Sequence, residues 1–185
     1  MTTLLGGTFN PPHNGHVALV RAAEEQFGDE VVVLVSAQPG HKDVELDAAT
    51  RLELARAAFP DHEVELDPHE RTVDMLAAGG RRDPLFVIGA DEFCDFLAWK
   101  DPEGVLARAR LAVATRPCYP RERLQPVLER LTHPERVQFF EIEPLPISSK
   151  DIRERVARGE PIDGLVPPAV AELIDARGLY RLEGT

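Results

Sequence analysis

The run Val31-Val32-Val33-Leu34-Val35 sets the first limit on the fold. A strand with one wet face alternates apolar and polar side chains. This stretch does not, so both of its faces are buried, as in a parallel sheet covered by helices. Leu85-Phe86-Val87-Ile88 has the same character, and Leu4-Leu5, Val64-Glu65-Leu66, Leu111-Ala112-Val113-Ala114 and Val137-Gln138-Phe139-Phe140 complete six strand candidates. Helical patterns separate them. Val17, Leu19, Val20, Ala23 and Phe27 make one apolar stripe, and Leu52, Leu54, Ala55, Ala58 and Phe59 follow a capping Asp47 and stop at Pro60. Further helices are predicted over Val73 to Ala78, near Arg121 to Leu131, and from Ser148-Ser149 through Arg158. Strands and helices alternating in this way predict an α/β fold, a doubly wound parallel sheet with right-handed crossovers. With 185 residues, 43% of them hydrophobic, the chain suffices for one such domain and is too short for two comfortable ones.

Charge narrows the partners. Twenty-one basic residues against 32 acidic ones give a net charge of −11, a field that repels nucleic acid and anionic membranes. A protein handling nucleotides under that field must gather its cations locally, and Lys42, Arg116, Lys150 and Arg153 are the candidates. Cys94 and Cys118 show no CxxC spacing, so neither a disulfide framework nor a protein-held metal is expected. The sequence does not open on a basic region followed by a long apolar run, and Val31 to Val35 is far too short for a bilayer. The expectation is therefore a soluble protein of the reducing cytoplasm.

In an open α/β sheet, ligands bind beyond the carboxyl ends of the strands, where strand order reverses. Gly6 to His16 follow the first strand, Gln38 to Lys42 the second, Gly89 to Asp91 the fourth and Thr115-Arg116 the fifth, so these segments are expected to converge on one cleft. The first of them, Gly6-Gly7-Thr8-Phe9-Asn10-Pro11-Pro12-His13-Asn14-Gly15-His16, reads as strand, turn and helix start. Unpaired amides and the positive dipole end at such a start suit a polyphosphate, with two imidazoles as further donors; a plain βα turn with two surface histidines is the alternative. Ser148-Ser149 with Arg153 one turn on is either a second phosphate site or an ordinary cap. Asp91 is a ribose-hydroxyl acceptor or the N-cap of a helix running to Ala98. Arg116 is a phosphate or adenine contact or a salt-bridge partner, Lys42 a triphosphate ligand or a solvated lysine, and Trp99 a stacking platform or a core residue. No Ser-His-Asp or Cys-His constellation can be assigned. Transfer at phosphorus, which needs positioning and charge stabilisation and no protein nucleophile, fits these parts.

The loop GGTFNPPHNGH resembles the signature of the HxGH-containing nucleotidylyltransferases, and specifically of bacterial nicotinate-mononucleotide adenylyltransferases. Ile88-Gly89-Ala90-Asp91 with Trp99-Lys100, then Ile147-Ser148-Ser149-Lys150-Asp151-Ile152-Arg153, then Leu165-Val166-Pro167 with Gly178-Leu179-Tyr180 are similar to three further blocks of that family, in the same order. The resemblance implies a Rossmann-like nucleotidylyltransferase fold in one domain over residues 1–185, with C-terminal helices from about residue 149 completing the nucleotide site. It implies transfer of the adenylyl group of ATP, accompanied by Mg²⁺, to nicotinate mononucleotide. His13, His16 and Arg153 would then be catalytic and would bind ATP together with Gly6, Gly7, Thr8, Phe9, Gly15, Lys42, Gly89, Asp91, Arg116, Ser148 and Ser149. Asn10, Thr72, Trp99 and Lys100 would bind the mononucleotide, with Asp74 and Asp101 the acids nearest in sequence. Three positions depart from the family pattern: Gly40 stands where Pro is usual, Arg71 where a Tyr commonly precedes the Thr, and Lys150 where Thr is common. An adenylyltransferase acting on nicotinamide mononucleotide or phosphopantetheine, and an inactive nucleotide-binding regulatory module, are the alternatives.

Overall fold

The computed structural model describes residues 2–40, 44–117, 119–143 and 145–181. Six strands, β1 (Thr3–Gly7), β2 (Val31–Ser36), β3 (Val64–Asp67), β4 (Leu85–Gly89), β5 (Arg110–Thr115) and β6 (Val137–Glu141), form one parallel sheet in the order β3-β2-β1-β4-β5-β6. The helices are α1 (Asn14–Phe27), α2 (Ala48–Ala58), α3 (Thr72–Ala78), α4 (Ala90–Cys94), α5 (Pro102–Leu106), α6 (Arg121–Leu128), α7 (Ser149–Ala157) and α8 (Pro168–Ala176).

The valine run behaves as its pattern requires. Val31, Val33 and Val35 join a core with Leu5, Leu85 and Val87 under α1, α2, α7 and α8, while Val32 and Leu34 join a second core with Leu4, Phe86 and Ile88 under α3 to α6. Successive side chains of a strand point to opposite faces, so an inner strand must be apolar at every position. Each buried Val or Leu contributes about 1.5–3 kcal/mol, which a polar residue in the run would forfeit.

Sheet order reverses between β1 and β4. Gly6 and Gly7 stay in register with Leu34 and Val35 of β2, but the pairing of β1 with β4 covers Thr3 to Leu5 alone. Beyond Leu5 the two strands part, and the opening between them is the switch point where ligands bind in such sheets.

Two local expectations are corrected. The segment from Asp91 to Ala98 is two pieces, α4 and a single 3-10 turn at Phe96–Ala98, and the N-cap is Gly89, with Asp91 inside the first turn. Phe93 and Phe96 are both fully buried and stack at 6.1 Å, and the tighter turn brings these side chains, three residues apart, to the same core. The short helix α5 has no apolar periodicity long enough to read from sequence. It is fixed by Asp101, whose φ is +52° and whose carboxylate accepts from the Gly104 N–H at 2.9 Å.

Ile152 on α7 is fully buried in the same core as α1 and α2. Ile152→Ala is expected to cost about 2–5 kcal/mol of stability with one cooperative transition retained. A denaturant melt in which α7 loosens separately from the rest would contradict this placement.

Candidate active site

The loop leaving β1 is shaped by contacts that admit few substitutions. A Cβ on Gly7 would stand 2.7 Å from the ring of Phe9, so glycine is needed for Phe9 to fold back into the core. Phe9 itself adopts φ +51°, is 1% exposed, and sets its ring edge-on to His16 at 5.1 Å and to Phe59 at 5.9 Å. A bulky residue in the left-handed region costs about 1–3 kcal/mol, which burial of the ring offsets.

His13 is the N-cap of α1, and its backbone N–H donates to Nδ1 of His16 at 3.1 Å. Since Nδ1 of His16 accepts, the hydrogen of the neutral ring lies on Nε2. The two imidazoles stack at 3.7 Å between centroids. A Cβ on Gly15 would stand 2.9 Å from Nδ1 of His13, which gives the H-x-G-H spacing its physical reason: cap, glycine under the first ring, and second ring one turn on. Burial pushes the His13 pKa down to about 4, so this ring is neutral at pH 7.

The C-terminal part of the chain holds this loop. Arg153 donates through Nη1 to the Asn10 carbonyl at 2.8 Å, Ser149 Oγ to the Pro11 carbonyl at 2.8 Å, and Tyr180 OH to Oδ1 of Asn10 at 2.8 Å. Asn14 donates from its backbone to Leu165 at 2.9 Å and from its side chain to Gly164 at 2.8 Å. Ser148 caps α7 by accepting from the Asp151 N–H at 3.1 Å, and Arg153 also pairs with Glu45 at 3.3 Å. Ser149 and Arg153 thus act on the loop's backbone, Asn10 is one of the residues they and Tyr180 hold, and none of the three, Asn10, Ser149 or Arg153, is among the residues lining the two cavities described next. Lys42 lies outside the described residues. Lys150 faces solvent near Glu154, away from both cavities.

Two cavities flank the opening between β1 and β4. One, of about 920 Å³, has Gly6, Gly7 and Thr8 on one wall and Thr72, Trp99 and Lys100 on another. Trp99 packs edge-on against Phe96 at 5.2 Å, and Lys100 pairs with Asp74 at 2.9 Å. The other cavity, of about 760 Å³, is lined by His13, Gly15, His16, Gly89, Asp91 and Arg116. Glu92 belongs to both walls, and its carboxylate accepts from the Gly89 N–H at 3.2 Å. The predicted single cleft is therefore two lobes that share Glu92, with the imidazole pair lining the second of them. Asp91 is exposed in the second lobe, where it accepts from Tyr119 OH at 2.9 Å and lies 3.5 Å from Arg116 and 3.7 Å from Arg123.

The departures at positions 40 and 71 are neighbours. A Cβ on Gly40 would stand 3.3 Å from Nη1 of Arg71, whose other nitrogen pairs with Glu70 at 2.7 Å. An arginine at 71 is accommodated next to a position without a side chain.

The sequence points to no role for Arg51 or Tyr119, and to Tyr180 only as the end of the Gly178-Leu179-Tyr180 block. Arg51 carried a readable signal: with Leu54, Ala55 and Ala58 it completes the i, i+3, i+4, i+7 face that α2 buries. Tyr119 and Tyr180 reach their partners across 28 and 170 residues, and no local pattern announces such contacts.

The model of the family described as cytidylyltransferase-like matches residues 4–155. A protein of Rubrobacter xylanophilus, named a probable nicotinate-nucleotide adenylyltransferase, is 35% identical over 97% of this chain and 92% of its own length. One of Moorella thermoacetica with the same name is 37% identical over 96% of this chain and 90% of its own. The chain belongs to the nicotinate-nucleotide adenylyltransferases of the cytidylyltransferase-like family. The fold agrees: a solved structure of Plasmodium falciparum nicotinic acid mononucleotide adenylyltransferase complexed with NaAD superposes with a TM-score of 0.78 over 97% of this chain and 96% of that one, at 16% identity. Membership makes the two adjoining lobes, one of them lined by the H-x-G-H pair, the candidate active site, since the family match spans the loop, Gly89, Asp91 and Arg153.

The state of His13 is open to measurement. Burial disfavours its imidazolium in the folded protein, so stability that is present above the unfolded value of about 6.5 is lost as pH falls toward the folded value of about 4. An NMR titration is expected to give a His13 midpoint near 4. A midpoint at or above the ordinary histidine value would show that the ring is not shielded as described.

Proposed function

We propose that the protein joins ATP and nicotinate mononucleotide to give nicotinate adenine dinucleotide and pyrophosphate, a step of NAD biosynthesis. The observation that carries this reading is the stacked His13–His16 pair at the N-terminus of α1, which lines one of two neighbouring lobes of suitable size. An oxygen of the acceptor's 5′-phosphate attacks the α-phosphorus of ATP in line, and the bond from that phosphorus to the oxygen bridging to the β-phosphorus breaks. Negative charge grows on the non-bridging oxygens as this happens. The N–H on Nε2 of His16, the Gly15 amide in the first turn of α1 and the helix dipole are the groups this chain offers to that charge. The lobe holding Asp91 and Arg116 takes the adenosine and the lobe holding Thr72 and Trp99 takes the mononucleotide. Mg²⁺ enters as part of the MgATP substrate, in keeping with an ion that retains its waters and sits on phosphates. Among the described residues no group of three His, Cys, Asp or Glu side chains is close enough to cage it.

Arg153 serves this reaction through the loop it holds, so Arg153→Ala is expected to lower stability as well as activity. His16→Ala is expected to lower kcat about 10²- to 10³-fold with a smaller change in KM for ATP, the usual cost of one preorganised donor. A variant that folds normally and turns over at nearly the wild-type rate would remove His16 from the reaction. A pyrophosphate-release assay with ATP, Mg²⁺ and a panel of acceptors tests the activity itself: release with the mononucleotide is expected, and release with none of them would make the protein a binding module.

The preference between nicotinate and nicotinamide follows from which groups remain available in the mononucleotide lobe. Asp74 is paired with Lys100, and Asp101 caps α5. Neither lines the lobe; the four acids that do are Asp67, engaged by His69, Glu70 by Arg71, Glu92 by the Gly89 amide, and Asp95. Acid acceptors for an amide NH₂ are thereby reduced, with exposed Asp95 remaining, while Thr72 and the Lys100 backbone can donate; the backbone N–H of Trp99 is held by the Phe96 carbonyl at 3.0 Å. An amide facing donors leaves polar groups mismatched at about 1–3 kcal/mol each. Accordingly kcat/KM for nicotinate mononucleotide is expected to exceed that for the amide by at least about tenfold, equivalent to about 1.4 kcal/mol. Equal use of the two acceptors would contradict the acid assignment and leave adenylyl transfer standing.

A further inference from the structure

Arg51 is the largest side chain buried almost completely, at 1% exposure, and its known partners are main-chain carbonyls. Nε donates to Leu46 at 3.2 Å, Nη1 to Thr8 at 2.9 Å and to Ser36 at 2.6 Å, and Nη2 to Ala37 at 3.3 Å. Four of the five N–H donors of a guanidinium are thus engaged on three separate segments: the loop after β1, the end of β2 and the turn entering α2. Burial draws its pKa down from the ordinary value, yet an arginine stays protonated. A buried cation with such partners has a reason beyond packing, because an apolar side chain would fill the same face of α2 at no desolvation cost.

The reason lies in where the carbonyls lead. Thr8 and Ser36 both line the 920 Å³ lobe, with Pro39 and Gly40 continuing the wall from Ser36 and Ala37. One planar group therefore fixes the spacing between the β1 loop, which carries the imidazole pair, and the β2 loop, which forms the outer wall of the mononucleotide lobe. We propose that Arg51 is a positioning residue for the acceptor: it touches no substrate, and it holds the β1 and β2 loops at the separation that aims the acceptor's phosphate at the imidazole pair. This rests on reading that lobe as the mononucleotide site. The ATP lobe, bounded by α1, β4 and β5, receives none of the four bonds. The β1 loop runs on to His13 and His16 of that lobe, but Arg153, Ser149 and Tyr180 hold it at Asn10 and Pro11 independently of Arg51, so loss of Arg51 should act more on the acceptor than on ATP. Lysine cannot replace it, because a point ammonium with three donors does not span four carbonyls in one plane.

The test is steady-state kinetics of Arg51→Lys and Arg51→Met with ATP and nicotinate mononucleotide, normalised to folded protein and run well below each variant's melting temperature. Misplacing a reacting group by about 1 Å costs up to about 10²-fold, so kcat is expected to fall about 10- to 100-fold and acceptor KM to rise, with KM for ATP within about threefold of wild type. A purely structural role would lower the melting temperature and leave kcat and acceptor KM per folded molecule within about twofold, or would shift both KM values together. Either result overturns the proposal. If neither variant folds, the Nε–H resonance of Arg51 in the wild-type protein decides: a shift on saturation with the mononucleotide that exceeds the shift with a non-hydrolysable ATP analogue supports the proposal, and equal or absent shifts overturn it. A wild-type protein inactive with the mononucleotide would remove the acceptor assignment and this proposal with it, whereas an active wild type with indifferent Arg51 variants would remove this proposal alone.

Discussion

The parting of β1 from β4 after Leu5 is the constraint on which the site depends. A strand fully paired on both sides would leave no room at its carboxyl end. Here Gly6 and Gly7 remain bonded to β2 alone, and the ring of Phe86 lies 3.2 Å from where a Cβ of Gly6 would be. The space that opens is occupied by the following loop and by α1, whose first turn brings two histidines to the mouth. The larger lobe takes walls from both strands, Gly6 and Gly7 of β1 and Phe86 and Ile88 of β4, and the smaller takes Gly89 of β4 with the start of α1.

A loop in such a gap carries polar backbone that must be satisfied, and the chain does this from distant segments. Arg153 and Ser149 approach the Asn10–Pro11 segment from α7 and Tyr180 from the turn after α8, and Arg51 reaches Thr8 from α2. The consequence is a preorganised helix start, with the imidazoles stacked and the His13 ring neutral before any substrate arrives. Preorganised donors need no rearrangement when charge develops, which is where their catalytic value lies. It also explains how a chain with net charge −11 serves anionic substrates. Fixed amides and imidazoles face the reaction centre, while Lys100, Arg71 and Arg116 each stand beside an acid.

The sheet was legible because inner strands must be apolar at every position, and Val31 to Val35 leaves no other reading. The convergence of strand-end segments followed from topology alone. The division into two lobes did not, since it depends on how far β1 and β4 pair, and hydrophobic pattern is silent on that. Roles carried by motif proved harder to place than residues. Ser149 and Arg153 read as phosphate ligands, yet in the folded chain they bind backbone carbonyls, because a loop distant in sequence comes to lie against α7. Asp91 was readable as a cap, but the glycine two residues earlier takes that position and leaves the carboxylate exposed beside Arg116.

The most direct test is a crystal structure with a non-hydrolysable ATP analogue and nicotinate mononucleotide bound together. The account predicts adenosine between Asp91 and Arg116, the pyridine ring at Trp99, the α-phosphorus beside Nε2 of His16, and residues 6–16 superposing within about 1 Å on the free structure, as preorganised sites do. Both ligands in one lobe, or a β1 loop rebuilt with its bonds to Arg51 and Arg153 broken, would contradict it.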